Sequence, residues 1–184
     1  IVPRGKALGA AWYLPNERQI TTKEQMYHEM IATLGGRAAE QLIFGHISTG
    51  ALSDLEKVTK QATAMIAYYG LDEKIGNRSY YDSTGQQDYS LTKPFSEKTA
   101  EIIDEQVSKL IESAYQEALK ILGENIDGLT QLANKLIDKE VVFGDDLETI
   151  FGKRPWVKEE IDFPKTSQQT TDNGQQSEST EENL

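Results

Sequence analysis

Asp54 stands where a small-residue turn hands over to a helix, in the stretch Ser48-Thr49-Gly50-Ala51-Leu52-Ser53-Asp54. A carboxylate at such a place can do one of two things. It can sit in the first helical turn and interact with the helix dipole, an effect worth about 0.3–1 kcal/mol. Ser53 and Glu56 have the spacing of a capping box, which favours that role. Alternatively, it can be aimed at a cation whose other ligands lie elsewhere. From Asp54 alone, both readings stay open.

The chain offers such a cation few partners. It contains no cysteine, so disulfides and thiolate metal sites are excluded, and any metal must be held by His, Asp or Glu. The two histidines are His28 and His46. His28-Glu29 begins as H-E-x-x-H begins, a motif in which histidines at i and i+4 share a helix face and grip one zinc while the Glu activates its water. Ala32 stands where the second histidine must be. One imidazole does not make that site, so His28 reads as a solvated helix residue. His46, in the loop after Gly45, reads the same way. Glu40 on its own is a helix-surface acid three residues after Arg37.

The elements that must position these residues are mainly helical. Thr21 or Thr22 caps a first helix, with Met26, Met30, Leu34, Ala38 and Leu42 along one face. Gly35-Gly36 interrupts it at a cost of about 1 kcal/mol per glycine relative to Ala, which points to close approach of another backbone. Gly45 ends it. A second helix spans about Ala51 to Tyr69, buried through Leu55, Val58, Ala62, Met65, Ile66 and Tyr69, and Gly70 stops it. Gly76 to Pro94 has no helical period and reads as a long surface loop. Ser96 opens a third helix that ends near Leu122-Gly123. A fourth, Ile126 to Lys139, buries Leu129, Leu132, Ala133, Leu136 and Ile137 and packs antiparallel to the third across a short link. One more turn follows near Asp145 to Ile150.

The two ends differ from this pattern. Ala7 to Leu14, bracketed by Pro3 and Pro15, reads as a short β element. It is either an edge strand able to accept an extended peptide or a hairpin covering the core. Residues 155–184 read as an acidic, low-complexity, disordered tail rich in Gln, Ser, Thr and Glu, leaving 1–154 as the folded part. The net charge of −11 argues against a nucleic-acid partner, since phosphate binding needs clustered Lys and Arg. No apolar run reaches the roughly 20 residues of a membrane-spanning helix, and no signal peptide is visible. The chain starts at Ile1, which fits a piece of a longer protein.

Taken together, "LGGRAAEQLIFG", "STGALSDLEKVTKQA" and "YGLDEKIG" resemble the peptidase domain of the FtsH family, the membrane-anchored, ATP-dependent zinc metalloproteases. "IVPRGKALGAAWYLP" resembles the stretch after the family's zinc-binding helix. "SEKTAEIIDEQVSKLIESAYQEALKIL" and "LANKLIDKEVVFGDDL" resemble the domain's C-terminal helices. The resemblance covers about residues 1 to 152. It implies a mainly α helical bundle with a short N-terminal β element. Asp54, as the Asp of T-G-A-x-x-D, is implied to be the third zinc ligand, beside two histidines of an upstream H-E-x-x-H. Glu40 is implied to support that site from outside the ligand shell.

The same resemblance implies zinc as cofactor, with ATP and Mg in an ATPase part. It implies protein substrates, a homo-hexamer, and anchoring at the cytoplasmic face of the bacterial inner membrane. This chain has neither H-E-x-x-H nor a Walker A phosphate loop. It is therefore expected to be soluble and inactive by itself. The contrasting expectation is a stand-alone helical adaptor or pseudo-protease that kept the bundle and lost the chemistry.

Overall fold

A computed structural model describes residues 20–81 and 94–153. The described elements are α1 (Lys23–Phe44), a 3-10 turn (Thr49–Ala51), α2 (Leu52–Thr63) running into a π-helical turn (Ala64–Tyr68), α3 (Glu97–Glu124), α4 (Ile126–Lys139) and α5 (Gly144–Phe151). No strand occurs among the described residues. The expected β element at Ala7–Leu14 and the expected tail at 155–184 lie outside them, as does the 82–93 part of the expected loop.

Local chemistry sets the helix ends. Thr22 and Gln25 form a reciprocal capping box: the Thr22 hydroxyl accepts from the Gln25 N–H at 3.3 Å, and the Gln25 side-chain oxygen accepts from the Thr22 N–H at 3.0 Å. Gly45, at φ 69°, closes α1 in the left-handed region that glycine adopts without a Cβ penalty. Ser96 caps α3, its hydroxyl accepting from the Thr99 N–H at 3.3 Å.

Three helices make the core. Met30, Leu34 and Ala38 of α1 pack with Val58, Ala62 and Met65 of the second helix and with Ala114 and Ala118 of α3. The two α3 alanines leave room for larger neighbours, so the helices can approach closely. Between the helices, the Gln61 side chain donates to the Met26 carbonyl and to Glu29, both at 3.1 Å. A second cluster joins Ile66, Ala67, Ile75 and Ile103, flanked by Tyr80 and Phe95. Tyr80 belongs to the expected loop, yet its N–H donates to the Ala67 carbonyl at 2.8 Å, so the loop's first residues are pinned to the end of the second helix.

Several expectations need correction. A Cβ built at Gly35 or Gly36 meets nothing within 4 Å, so no backbone packs there among the described residues. Leu42 and Tyr69 are exposed because the apolar stripes of their helices run past the ends of the three-helix core. Gly123 lies inside α3, which runs on to Glu124. No residue of α4 is buried. Leu129, Leu132 and Leu136 are half-buried, and Ala133 and Ile137 are exposed. The cause is that α4 packs mainly on the short α5 and little on α3. Phe151 lies over Gly128, where a Cβ would collide with its ring, and Lys135 pairs with Asp146 across the two helices.

Candidate metal-ligand site

Asp54 occupies the third position of α2, in its first turn, and is half-exposed. The expected capping box does not form. The residue preceding α2 is Ala51, which makes no side-chain cap, and Glu56 pairs instead with Lys60 at 2.5 Å. Asp54 itself makes no hydrogen bond or ion pair among the described residues. Its carboxylate is a first-turn acid near the helix dipole, with no hydrogen-bond or ion-pair partner among the described residues.

What fixes the entry into α2 lies just upstream. Ser48 is extended, and its hydroxyl accepts from the Gly50 N–H at 3.1 Å, capping the 3-10 turn that leads into the helix. Glu40, near the end of α1, holds Ser48 with both oxygens: Oε1 accepts from the Ser48 hydroxyl at 2.7 Å and Oε2 from its N–H at 3.1 Å. These bonds hold the Glu40 carboxyl below the usual glutamate range, the hydroxyl contributing most and the amide next. Arg37 and His46 add weaker attraction. Gly50 sits at close quarters with the turn: a Cβ there would come 3.3 Å from the Ser48 hydroxyl, which would have to give by a few tenths of an ångström. Ala51 is buried and anchors the turn.

Glu40 thus acts on the turn that carries Asp54, not on Asp54 itself. It forms no ion pair with Arg37, the partner its spacing had suggested. The other sequence candidates lie apart. His28 is exposed on α1, 6.5 Å ring to ring from Tyr27, and Glu29 is tied to Gln61. His46 is exposed and meets the Phe44 ring edge-on at 6.1 Å. No group of three or more potential metal ligands occurs among the described residues. Asp54 therefore stands without two further potential ligands beside it among the described residues.

The role of Ser48 has no counterpart in the sequence pattern. The Glu40–Ser48 pair spans eight positions across a helix end, and no helical or strand periodicity marks such a spacing.

A model of peptidase family M41 matches residues 1–150. The chain belongs to peptidase family M41. It is 61% identical, over 157 residues, to "ATP-dependent zinc metalloprotease FtsH" of Parabacteroides distasonis, covering 85% of this chain and 23% of that protein. It is 45% identical to "ATP-dependent zinc metalloprotease FTSH 8, mitochondrial" of Oryza sativa, covering 85% of this chain and 19% of the relative. It is 44% identical to "Mitochondrial inner membrane m-AAA protease component AFG3L1" of Mus musculus, covering 86% and 20%. This M41 chain thus spans roughly a fifth to a quarter of the length of the curated relatives it matches. No described helix is long and apolar enough to cross a membrane.

Proposed function

We propose that this chain supplies one carboxylate ligand, Asp54, to the zinc centre of an ATP-dependent metalloendopeptidase that degrades proteins. The observation that carries the reading is the Asp54 carboxylate in the first turn of α2, without a partner among the described residues, in a helix entered through a turn that Glu40 and Ser48 hold in place. A carboxylate spent on capping would have its lone pairs committed to backbone N–H groups. Asp54 makes no such bond among the described residues.

In this role Asp54 would provide an anionic oxygen to the metal, and two histidines from outside the described residues would provide the neutral donors. Bound zinc supplies activation of a water for attack on the peptide carbonyl. Glu40 is a positioning residue: through Ser48 it fixes where α2 begins and so where Asp54 sits. Residues 1–154 are read as the peptidase part and 155–184 as an acidic tail, on composition. ATP with Mg²⁺ is assigned to a part of the protein outside this chain. The intact protein is read as a homo-hexamer anchored at the cytoplasmic face of a bacterial inner membrane, in line with relatives whose names record ATP dependence and an inner-membrane protease.

A helical adaptor is the second reading, supported by the exposed apolar residues of α4 and α5. Casein degradation by the full-length protein and its Asp54→Asn variant separates the two. The peptidase reading expects loss of degradation with ATP hydrolysis retained, and an adaptor has no degradation to lose.

A further inference from the structure

We propose that the cavity between α3 and the π-helical turn is a binding site for an aliphatic carboxylate, with the Gln106 amide and the Lys23 ammonium as its donors. The cavity has a volume of about 200 Å³. Its apolar wall is Met65 and Ile66 of the π-helical turn, Leu71 just after it, and Leu110 of α3. The Met65 carbonyl accepts from the Leu71 N–H at 3.1 Å, which folds Leu71 back beside the cavity. π-Helical turns are rare and are found frequently at functional sites. A cavity of roughly 150 Å³ already admits benzene, so this one has room for a six-carbon group.

The polar groups decide what fits. Gln106 lies one helical turn before Leu110, and its side-chain nitrogen is buried with no hydrogen-bond partner among the described residues. A buried amide N–H is costly to leave unpaired, so it calls for an acceptor inside the cavity. Lys23 and Lys109 line the same cavity, and Lys23 makes no ion pair among the described residues. Lys109 shares Glu105 with Lys74, at 2.5 and 3.6 Å, so two ammonium groups face one carboxylate there. Asp72 also lines the cavity, but its Oδ1 accepts from the Lys74 and Ile75 N–H groups at 2.9 and 3.1 Å. Positive charge thus outweighs negative charge around the orphan amide. A bare inorganic anion would leave the apolar wall uncovered, and a neutral hydrocarbon would leave the amide unpaired. An aliphatic carboxylate answers both, whether it is the C-terminal end of a peptide or a free branched-chain acid. The site depends on neither zinc nor cleavage.

The probes are N-acetyl-L-leucine, 4-methylpentanoate and N-acetyl-L-leucinamide, each titrated into the full 184-residue chain. The readouts are the Gln106 side-chain amide signals and the Met65 methyl signal in heteronuclear NMR. At least one of the two acids is expected to shift both signals saturably, with a midpoint below about 10 mM. Saturation by N-acetyl-L-leucine alone identifies a peptide end, by 4-methylpentanoate alone a free acid, and by both any aliphatic carboxylate. The leucinamide, which lacks the charge, should bind at least about tenfold more weakly than the acid that binds. Lys23 is exposed, so Lys23→Gln should keep the melting temperature and weaken acid binding by about twofold or more. Gln106→Glu turns the donor into a like charge and should abolish the saturable shift. If that variant does not fold, Lys23→Gln and the leucinamide still decide. Equal binding of the leucinamide and the acid overturns the proposal, as does acid binding indifferent to Lys23→Gln. So does the absence of any saturable shift; a cross-peak from the Gln106 amide to a long-lived water would then assign the cavity to that water.

Discussion

Glu40 holds Ser48 with both carboxylate oxygens, one on the hydroxyl at 2.7 Å and one on the amide at 3.1 Å. The pair ties the end of α1 to the turn that opens α2, the helix whose first turn carries Asp54. An acid on the surface of one helix thereby governs the start of the next.

This clamp is ionisation-dependent, and the sign is fixed. Because the Ser48 bonds lower the Glu40 carboxyl in the folded chain, the clamp is fully present above the ordinary glutamate value. It is lost as pH falls through the lower, folded value. In ¹⁵N-edited NMR the Ser48 and Gly50 amides should titrate together, below the ordinary glutamate range. Ser48→Ala should move the Glu40 midpoint up toward that range. A Glu40 that titrates normally in the wild-type chain would show that the clamp is not populated in solution.

The core and the α4 face should respond oppositely to truncation. Leu34 is buried among three helices, so Leu34→Ala should cost about 2–5 kcal/mol in urea denaturation. Ile137 is 72% exposed, so Ile137→Ala should change stability by less than about 0.5 kcal/mol. Comparable losses at the two positions would mean that α4 packs into the core after all.

Two glycines in the left-handed region provide a paired test. A Cβ at Gly70 would come within 3.1 Å of the Gly76 carbonyl oxygen, whereas one at Gly45 meets nothing within 4 Å. Gly45→Ala should cost roughly 1–2 kcal/mol from backbone strain alone. Gly70→Ala should cost distinctly more, because the backbone it meets cannot yield as a side chain would. Equal melting temperatures for the two variants would contradict the close approach at Gly70.

Much of this fold was legible because its helices carry strong local signals. The Thr22–Gln25 box, the Ser96 cap, the Gly45 and Gly70 stops and the Met30–Leu34–Ala38 spacing are all short-range features. What sequence could not show is which apolar face meets a partner. The α4 stripe has the same period as the α1 stripe, yet only α1 lies between two long helices. Gly35-Gly36 misled for the same reason: small residues permit a close contact but do not supply one. At the site, Asp54 stood out through its family motif. The bond from Glu40 to Ser48 depends on how the turn folds, and its eight-residue spacing carries no signature.

The chain by itself should neither cleave casein nor hold zinc tightly, since one carboxylate does not make a three-ligand site. Equilibrium dialysis against zinc, followed by casein digestion, checks both halves. Chelator-sensitive cleavage by the purified chain would require a ligand set that the described residues do not contain.

The most direct test of Asp54 as a metal ligand is zinc content and casein degradation of the full-length protein carrying Asp54→Asn. Asparagine preserves shape and remains a good residue for a helix start, so a purely structural Asp54 would lose under about 1 kcal/mol and little activity. As a ligand, the neutral amide oxygen holds the metal far less well. The loss should then exceed the 10–100-fold typical of groups that only support a ligand. The account predicts depleted zinc and abolished proteolysis with ATP hydrolysis retained, while the neighbouring Glu56→Gln stays near wild type. Full zinc content and near-normal casein degradation in the Asp54→Asn protein would contradict it.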